Sequence, residues 1–92
     1  MHVIIRGSFK KDLSRISQYD LILALNEKIR QIEAAPEFSH VTGLKLLRGY
    51  SSYFRILVRT EKHSYRIGAI IRGRTIWLVR FLSRKKIYQK FP

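Results

Sequence analysis

The chain has no cysteine. That excludes a disulfide framework, a cysteine-ligated zinc site and a thiol nucleophile, and it fits a reducing cytoplasm. No apolar run approaches the roughly 18–20 residues of a membrane span. Val3-Ile4-Ile5 is cut short by Arg6 and Gly7, so a secretory leader is not expected. Proline occurs twice, and there are no linkers, repeats or low-complexity segments, so 92 residues read as one domain. Classical catalytic groupings are equally scarce. His2, His40 and His63 lack metal-ligand spacing, no Ser-His-Asp set is readable, and no glycine-rich phosphate loop is present. No metal and no cofactor is therefore expected. Each histidine reads as a surface residue, His40 being the one that lies in a long loop.

The scarcest commodity is negative charge in the second half. Residues 1–48 carry eight Lys/Arg against five Asp/Glu, whereas residues 49–92 carry eleven against Glu61 alone. Paired carboxylates for acid–base work are thus excluded there. A net charge of +13 opposes compaction by self-repulsion. A polyanion or acidic protein that neutralises it would stabilise the fold by mass action.

What is present falls into two patterns. His2–Arg6 is a short β-favouring run, expected as an edge strand. Ser8 can cap a helix in which Phe9, Leu13 and Ile16 recur at helical spacing. Asp20 can cap a second helix, Leu21 to about Ala35, with Leu21, Leu25, Ile29 and Ile32 on one face. Pro36 stops it. Two amphipathic helices with a short link make a helical hairpin. Residues 36–51 read as irregular, with Leu44, Leu46 and Leu47 tacking the loop to the core.

Period two then takes over. In Ser52–Arg59, Phe54, Ile56 and Val58 point one way and Tyr53, Arg55, Leu57 and Arg59 the other. After a turn at Thr60–His63, Tyr65, Ile67, Ala69 and Ile71 share a face, opposite Arg66, Gly68, Ile70 and Arg72. Gly73-Arg74 suits a two-residue hairpin loop. In Thr75–Leu82, parity puts Trp77, Val79 and Phe81 together, opposite Ile76, Leu78, Arg80 and Leu82. One sheet face is therefore apolar and expected against the helices. The other carries Arg55, Arg59, Arg66, Arg72 and Arg80, and a basic tail containing Arg84, Lys85, Lys86, Tyr88 and Lys90 follows.

A single arginine on a solvated sheet face usually serves solubility or blunts an edge. Eleven basic groups against one acid favour polyanion or acidic-peptide binding. Arg55 and Arg66 lie on neighbouring strands, and guanidinium forks bind phosphate bidentately and stabilise charge developing on it. Tyr88 adds a phenol able to stack on a base or exchange a proton. Trp77 and Phe81 are expected in the core. Tyr50 and Tyr53 flank the basic strand and are open to either use.

Gly43-Leu44-Lys45, Leu47-Arg48-Gly49-Tyr50, Ser52-Tyr53-Phe54-Arg55-Ile56, Ser64-Tyr65-Arg66-Ile67-Gly68 and Leu82-Ser83-Arg84-Lys85-Lys86-Ile87-Tyr88, in that order, resemble the RelE/ParE superfamily of bacterial type II toxins. With the helical hairpin the likeness spans nearly the whole chain. It implies an α+β fold, an N-terminal helical hairpin packed on one face of a twisted, mainly antiparallel sheet. It implies an acidic or amphipathic antitoxin as partner. In the RelE-like branch it also implies cleavage of mRNA in the ribosomal A site, the 2′-hydroxyl attacking the adjacent phosphorus to leave a cyclic phosphate and a 5′-hydroxyl. Carried over position by position, the catalytic residues are Arg55, Arg66, Arg84 and Tyr88. Arg59, Arg80, Lys85, Lys86 and Lys90 are the expected RNA-binding set. The superfamily often has a basic residue where Leu57 stands and a histidine where Ser83 stands. These departures favour the alternatives, a ParE-like inhibitor of DNA gyrase or a weakened relative that only binds antitoxin or RNA. A cytoplasmic place and no membrane are expected in every case.

Overall fold

The computed structural model describes all 92 residues. Strand β1 (His2–Ile5) comes first, followed by helices α1 (Gly7–Leu13) and α2 (Tyr19–Ala34) and a 3-10 turn (Phe38–His40). Strands β2 (Leu44–Leu46), β3 (Tyr53–Arg59), β4 (Ser64–Arg72) and β5 (Thr75–Ser83) follow, and helix α3 (Arg84–Lys90) closes the chain. The five strands form one sheet in the order β1-β5-β4-β3-β2. β1 runs parallel to β5 and all other pairs are antiparallel. No helix is long and apolar enough to cross a membrane.

The helical pair follows a first strand rather than opening the chain, and it packs as expected. Phe9 of α1 and Leu21, Leu25 and Ile32 of α2 meet Ile56, Val58, Ile67, Ala69, Ile76, Leu78 and Phe81 in one buried core. Pro36 acts as read: α2 ends at Ala34 and Ala35 is extended. The helix starts differ from expectation. α2 begins at Tyr19 with Gln18 at the cap, so Asp20 lies inside the first turn, where its charge still complements the helix dipole. Ser8 caps nothing.

Ser8 is occupied by a feature of β5 that parity did not show. Arg80 pairs with Gly68 and Leu78 with Ala69, so β5 holds one residue more than its partner between these pairs. Such a bulge reverses inside and outside along the strand. Phe81 therefore shares the core with Ile76 and Leu78, whereas Trp77 is half-exposed, a correction to its expected burial. A bulge also frees backbone polar groups, which must find partners. Ser8 donates from Oγ to the Val79 carbonyl, and the Phe81 N–H donates to Asp12 Oδ2 at 2.9 Å. The same carboxylate takes Arg80 bidentately, Nε at 2.7 Å and Nη2 at 3.0 Å. Arg80 is thereby drawn to α1 instead of standing beside Arg55 and Arg66. Asp12 is the one buried charged residue, and α1 is pinned to the bulge by it.

Two elements went unread. Leu44–Leu46 is a strand, paired to β3 with Leu44 opposite Ile56, Lys45 opposite Arg55 and Leu46 opposite Phe54. Of the three leucines expected to tack this stretch down, Leu47 is buried, Leu44 is half-buried and Leu46 is exposed. The basic tail is a helix, α3, which packs on β4 and β5. It is held by a small second core of Leu47, Ile87 and Phe91, with Tyr53, Val79 and Leu82 against it. Gly68 makes room for this: a β-carbon there would stand 2.6 Å from the Phe91 ring. The sheet is thus covered on one face by α1 and α2 and partly on the other by α3.

Candidate functional site

The uncovered part of the α3-bearing face holds an open depression of about 330 Å³. Gly43, Lys45, Arg55, Leu57, Arg66, Arg84 and Tyr88 line it, and no acidic side chain is among them. The strand register explains the arrangement. Arg55 stands between Lys45 on β2 and Gly68 on β4, and the next row on the same face is Leu57 beside Arg66. Arg55 and Arg66 are therefore diagonal neighbours. Arg84 and Tyr88 are four apart on α3 and project from one side of it. The seating of Phe91 on Gly68 brings that side over β3.

Tyr88 is where these groups converge. The Arg55 guanidinium carbon lies 4.4 Å from the centre of the Tyr88 ring, a cation–π contact. Arg55 Nε is buried without a hydrogen-bond partner, so the aromatic face is what this cation meets instead. Arg84 Nε lies 3.5 Å from the phenolic oxygen. Arg66 is steadied by donating from Nη1 to Ser64 Oγ at 2.8 Å and lies close enough to act electrostatically. The Arg84 hydrogen bond pulls the Tyr88 pKa below its ordinary value. Desolvation opposes this as the next-largest effect, and the positive charges of Arg84, Arg66 and Arg55 each add a smaller lowering. The ring is 50% exposed, so a ligand can reach it. Three guanidinium groups around an activated phenol can receive a phosphate and hold a proton acceptor beside it.

Arg55, Arg66, Arg84 and Tyr88, expected together, do come together. The remaining basic candidates are distributed elsewhere. Arg59 borders a depression against α2 with Glu27, Lys28 and Gln31. There burial pushes the Lys28 ammonium below its ordinary range while it donates to Gln31 and Thr42. Arg80, Lys86 and Lys90 line another hollow with Asp12 and Arg15. The Asp12 hydrogen bond raises the Arg80 pKa further, so its charge is permanent but engaged. Lys85 is exposed on α3. His40 sits in the 3-10 turn, 3.7 Å from Glu37 and outside the site. Tyr53 stacks between Tyr50 and Phe91, at 5.2 and 5.7 Å, and so belongs to the α3 seat. Lys45 was missed as a site residue. The alternation Leu44-Lys45-Leu46 was its one signal, faint at three residues.

Fold and depression together define a small basic α+β protein with a cationic depression that gathers Lys45, Arg55, Arg66 and Arg84 around an exposed tyrosine. No family model matches the chain. A curated relative, Toxin RelE3 of Methanocaldococcus jannaschii, is 34% identical over 97 aligned positions, covering all of both chains. A solved structure, the RelB-RelE antitoxin-toxin complex from Methanococcus jannaschii, superposes with a TM-score of 0.75. It is 29% identical and covers 97% of this chain and 99% of that one. The chain belongs to the RelE family of toxins.

Proposed function

We propose that this RelE-family toxin blocks translation by cleaving mRNA on the ribosome, with the Tyr88 depression as its active site. The observation that carries the reading is the convergence of Arg55, Arg66 and Arg84 on one phenol. The Tyr88 phenolate accepts the proton of a ribose 2′-hydroxyl. The 2′-oxygen attacks the adjacent phosphorus, the bond to the 5′-oxygen breaks, and a 2′,3′-cyclic phosphate and a 5′-hydroxyl result. Arg55, Arg66 and Arg84 stabilise the charge that builds on the phosphoryl oxygens, an effect worth most when the donors are already in place. The site is an open depression of about 330 Å³, and a flexible single strand must be ordered there for in-line attack. Ribosome-bound RNA supplies that order, which accounts for a requirement for the ribosome.

The free toxin is held by an acidic or amphipathic antitoxin. The net charge of +13 and the RelB partner in the related complex support this. Mapping RNA ends after induction tests the reading: codon-linked breaks are expected in translated messages. Growth arrest with unbroken RNA, together with inhibited supercoiling by purified gyrase, would replace cleavage by a ParE-like action.

A further inference from the structure

Cleavage by this route moves two protons. One leaves the 2′-hydroxyl, and one must reach the 5′-oxygen as it departs. The depression has a taker for the first in Tyr88. For the second its inventory is short: Gly43 and Leu57 carry no proton, and guanidinium groups do not release theirs at working pH. Lys45 is what remains, since an ammonium can give up a proton.

We propose that Lys45 is the general acid of the cleavage, delivering a proton to the 5′-oxygen leaving group. The assignment rests on the RNA-cleaving reading above and deepens it. Its geometry comes from the sheet. Lys45 is directly opposite Arg55 in the β2–β3 ladder, and such pairs share a face with β-carbons roughly 4.5–5.5 Å apart. Arg55 is flanked by β2 on one side and β4 on the other. Tyr88 reaches Arg55 from α3, which packs on β4 and β5, whereas Lys45 reaches it from β2. A phosphate seated on Arg55 therefore has the proton acceptor and the proton donor on opposite flanks. In-line displacement needs that arrangement, because the entering and leaving oxygens lie on opposite sides of phosphorus. Lys45 is exposed, and no acidic side chain lies within ion-pair distance to hold it back. In the balanced step, the bond from 2′-oxygen to phosphorus forms and that from phosphorus to 5′-oxygen breaks. Its electron pair takes the Lys45 proton. Neutral lysine then regains a proton from solvent and Tyr88 returns its own.

The test is single-turnover cleavage of message on programmed ribosomes at saturating toxin, comparing wild type with Lys45→Ala and Lys45→Arg. Both variants are expected to be slower by about 10²–10⁴-fold, the usual contribution of a positioned acid. Lys45→Arg keeps the charge and loses the releasable proton, so it separates acid catalysis from phosphate binding. A message with sulfur in place of the scissile 5′-oxygen supplies the second readout, since a thiolate leaves without protonation. That substrate is expected to return both variants to the wild-type rate. A wild-type rate for Lys45→Arg on the oxygen substrate, or a deficit unchanged by sulfur, overturns the assignment while leaving the RNA-cleaving reading intact. Failure of the wild-type protein to cut either message overturns both.

Discussion

The two faces of the sheet are made from the same strands but by different rules. Under α1 and α2 the positions are filled by apolar side chains apart from the Asp12–Arg80 pair at the bulge, and what counts is volume. On the α3 side the positions next to Phe91 are apolar and those beyond it are cationic, and what counts is where charges meet. Alternation along a strand specifies the first face almost completely. The second depends on a seven-residue helix, set in place by Gly68 and Phe91, which carries half of the charge cluster to the other half. The main core and the charge cluster thus lie on opposite sides, and substitutions should separate their effects.

The largest effect is expected from Phe9→Ala, which empties the centre of the helix-facing core. A buried phenylalanine lost this way costs about 3–5 kcal/mol, comparable with the stability of a domain of this size. Urea denaturation should show the variant largely unfolded, and any cleavage should vanish with the fold. Next comes Asp12→Ala. It leaves the Phe81 N–H without its acceptor and Arg80 without its partner, and hydrogen bonds to charged groups are worth about 1.5–3 kcal/mol each. A urea midpoint lowered by this order, with the cleavage rate of the remaining folded protein preserved, is the expected outcome. Arg80 is then confirmed as structural rather than part of the depression.

Gly68→Ala sharpens the comparison on the other face. The new methyl collides with the Phe91 ring, and overpacking of this kind costs about 1–3 kcal/mol. Relief by undocking α3 spares the main core, so circular dichroism should retain the sheet while the Tyr88 cluster disperses and cleavage falls. The smallest effect is on pH dependence. In the proposed mechanism the phenolate is the reactive form, so the rate should rise with pH through the Tyr88 pKa, which lies below the ordinary tyrosine value of about 10. Arg84→Ala removes the main cause of that depression. The rising limb of the pH–rate profile should move to higher pH, and the plateau should fall as well because Arg84 no longer stabilises the phosphoryl charge.

The helix-facing side was legible in the sequence because burial and periodicity coincide there. Phe54, Ile56 and Val58 on β3, and Ile67, Ala69 and Ile71 on β4, are where alternation puts them. β5 followed the rule only to Leu78, because the bulge after it has no residue signature: Val79-Arg80 reads like any other step of a strand. Trp77 and Arg80 were misplaced for that one reason. Ser8 reads as a cap, and Asp12 gives no signal at all, because their true partners lie about 70 residues along the chain. β2 is too short to show a period, so Lys45 stayed in a loop. α3 has only Ile87 and the following Phe91 to bury, and each needs Leu47 or Gly68 from elsewhere to become a core. Residue identities at the site were thus visible, chiefly through family resemblance. Their meeting around Tyr88 is tertiary and could not be read from spacing.

The most direct test of the site is Tyr88→Phe, which removes one oxygen atom and keeps the ring that covers Arg55. Cleavage rate on programmed ribosomes and urea midpoint are measured on the same preparation. The proposed mechanism predicts a rate lower by about 10²–10⁴-fold, the loss expected when a general base is removed, with an unchanged midpoint. A Tyr88→Phe protein that cuts message at the wild-type rate would contradict it.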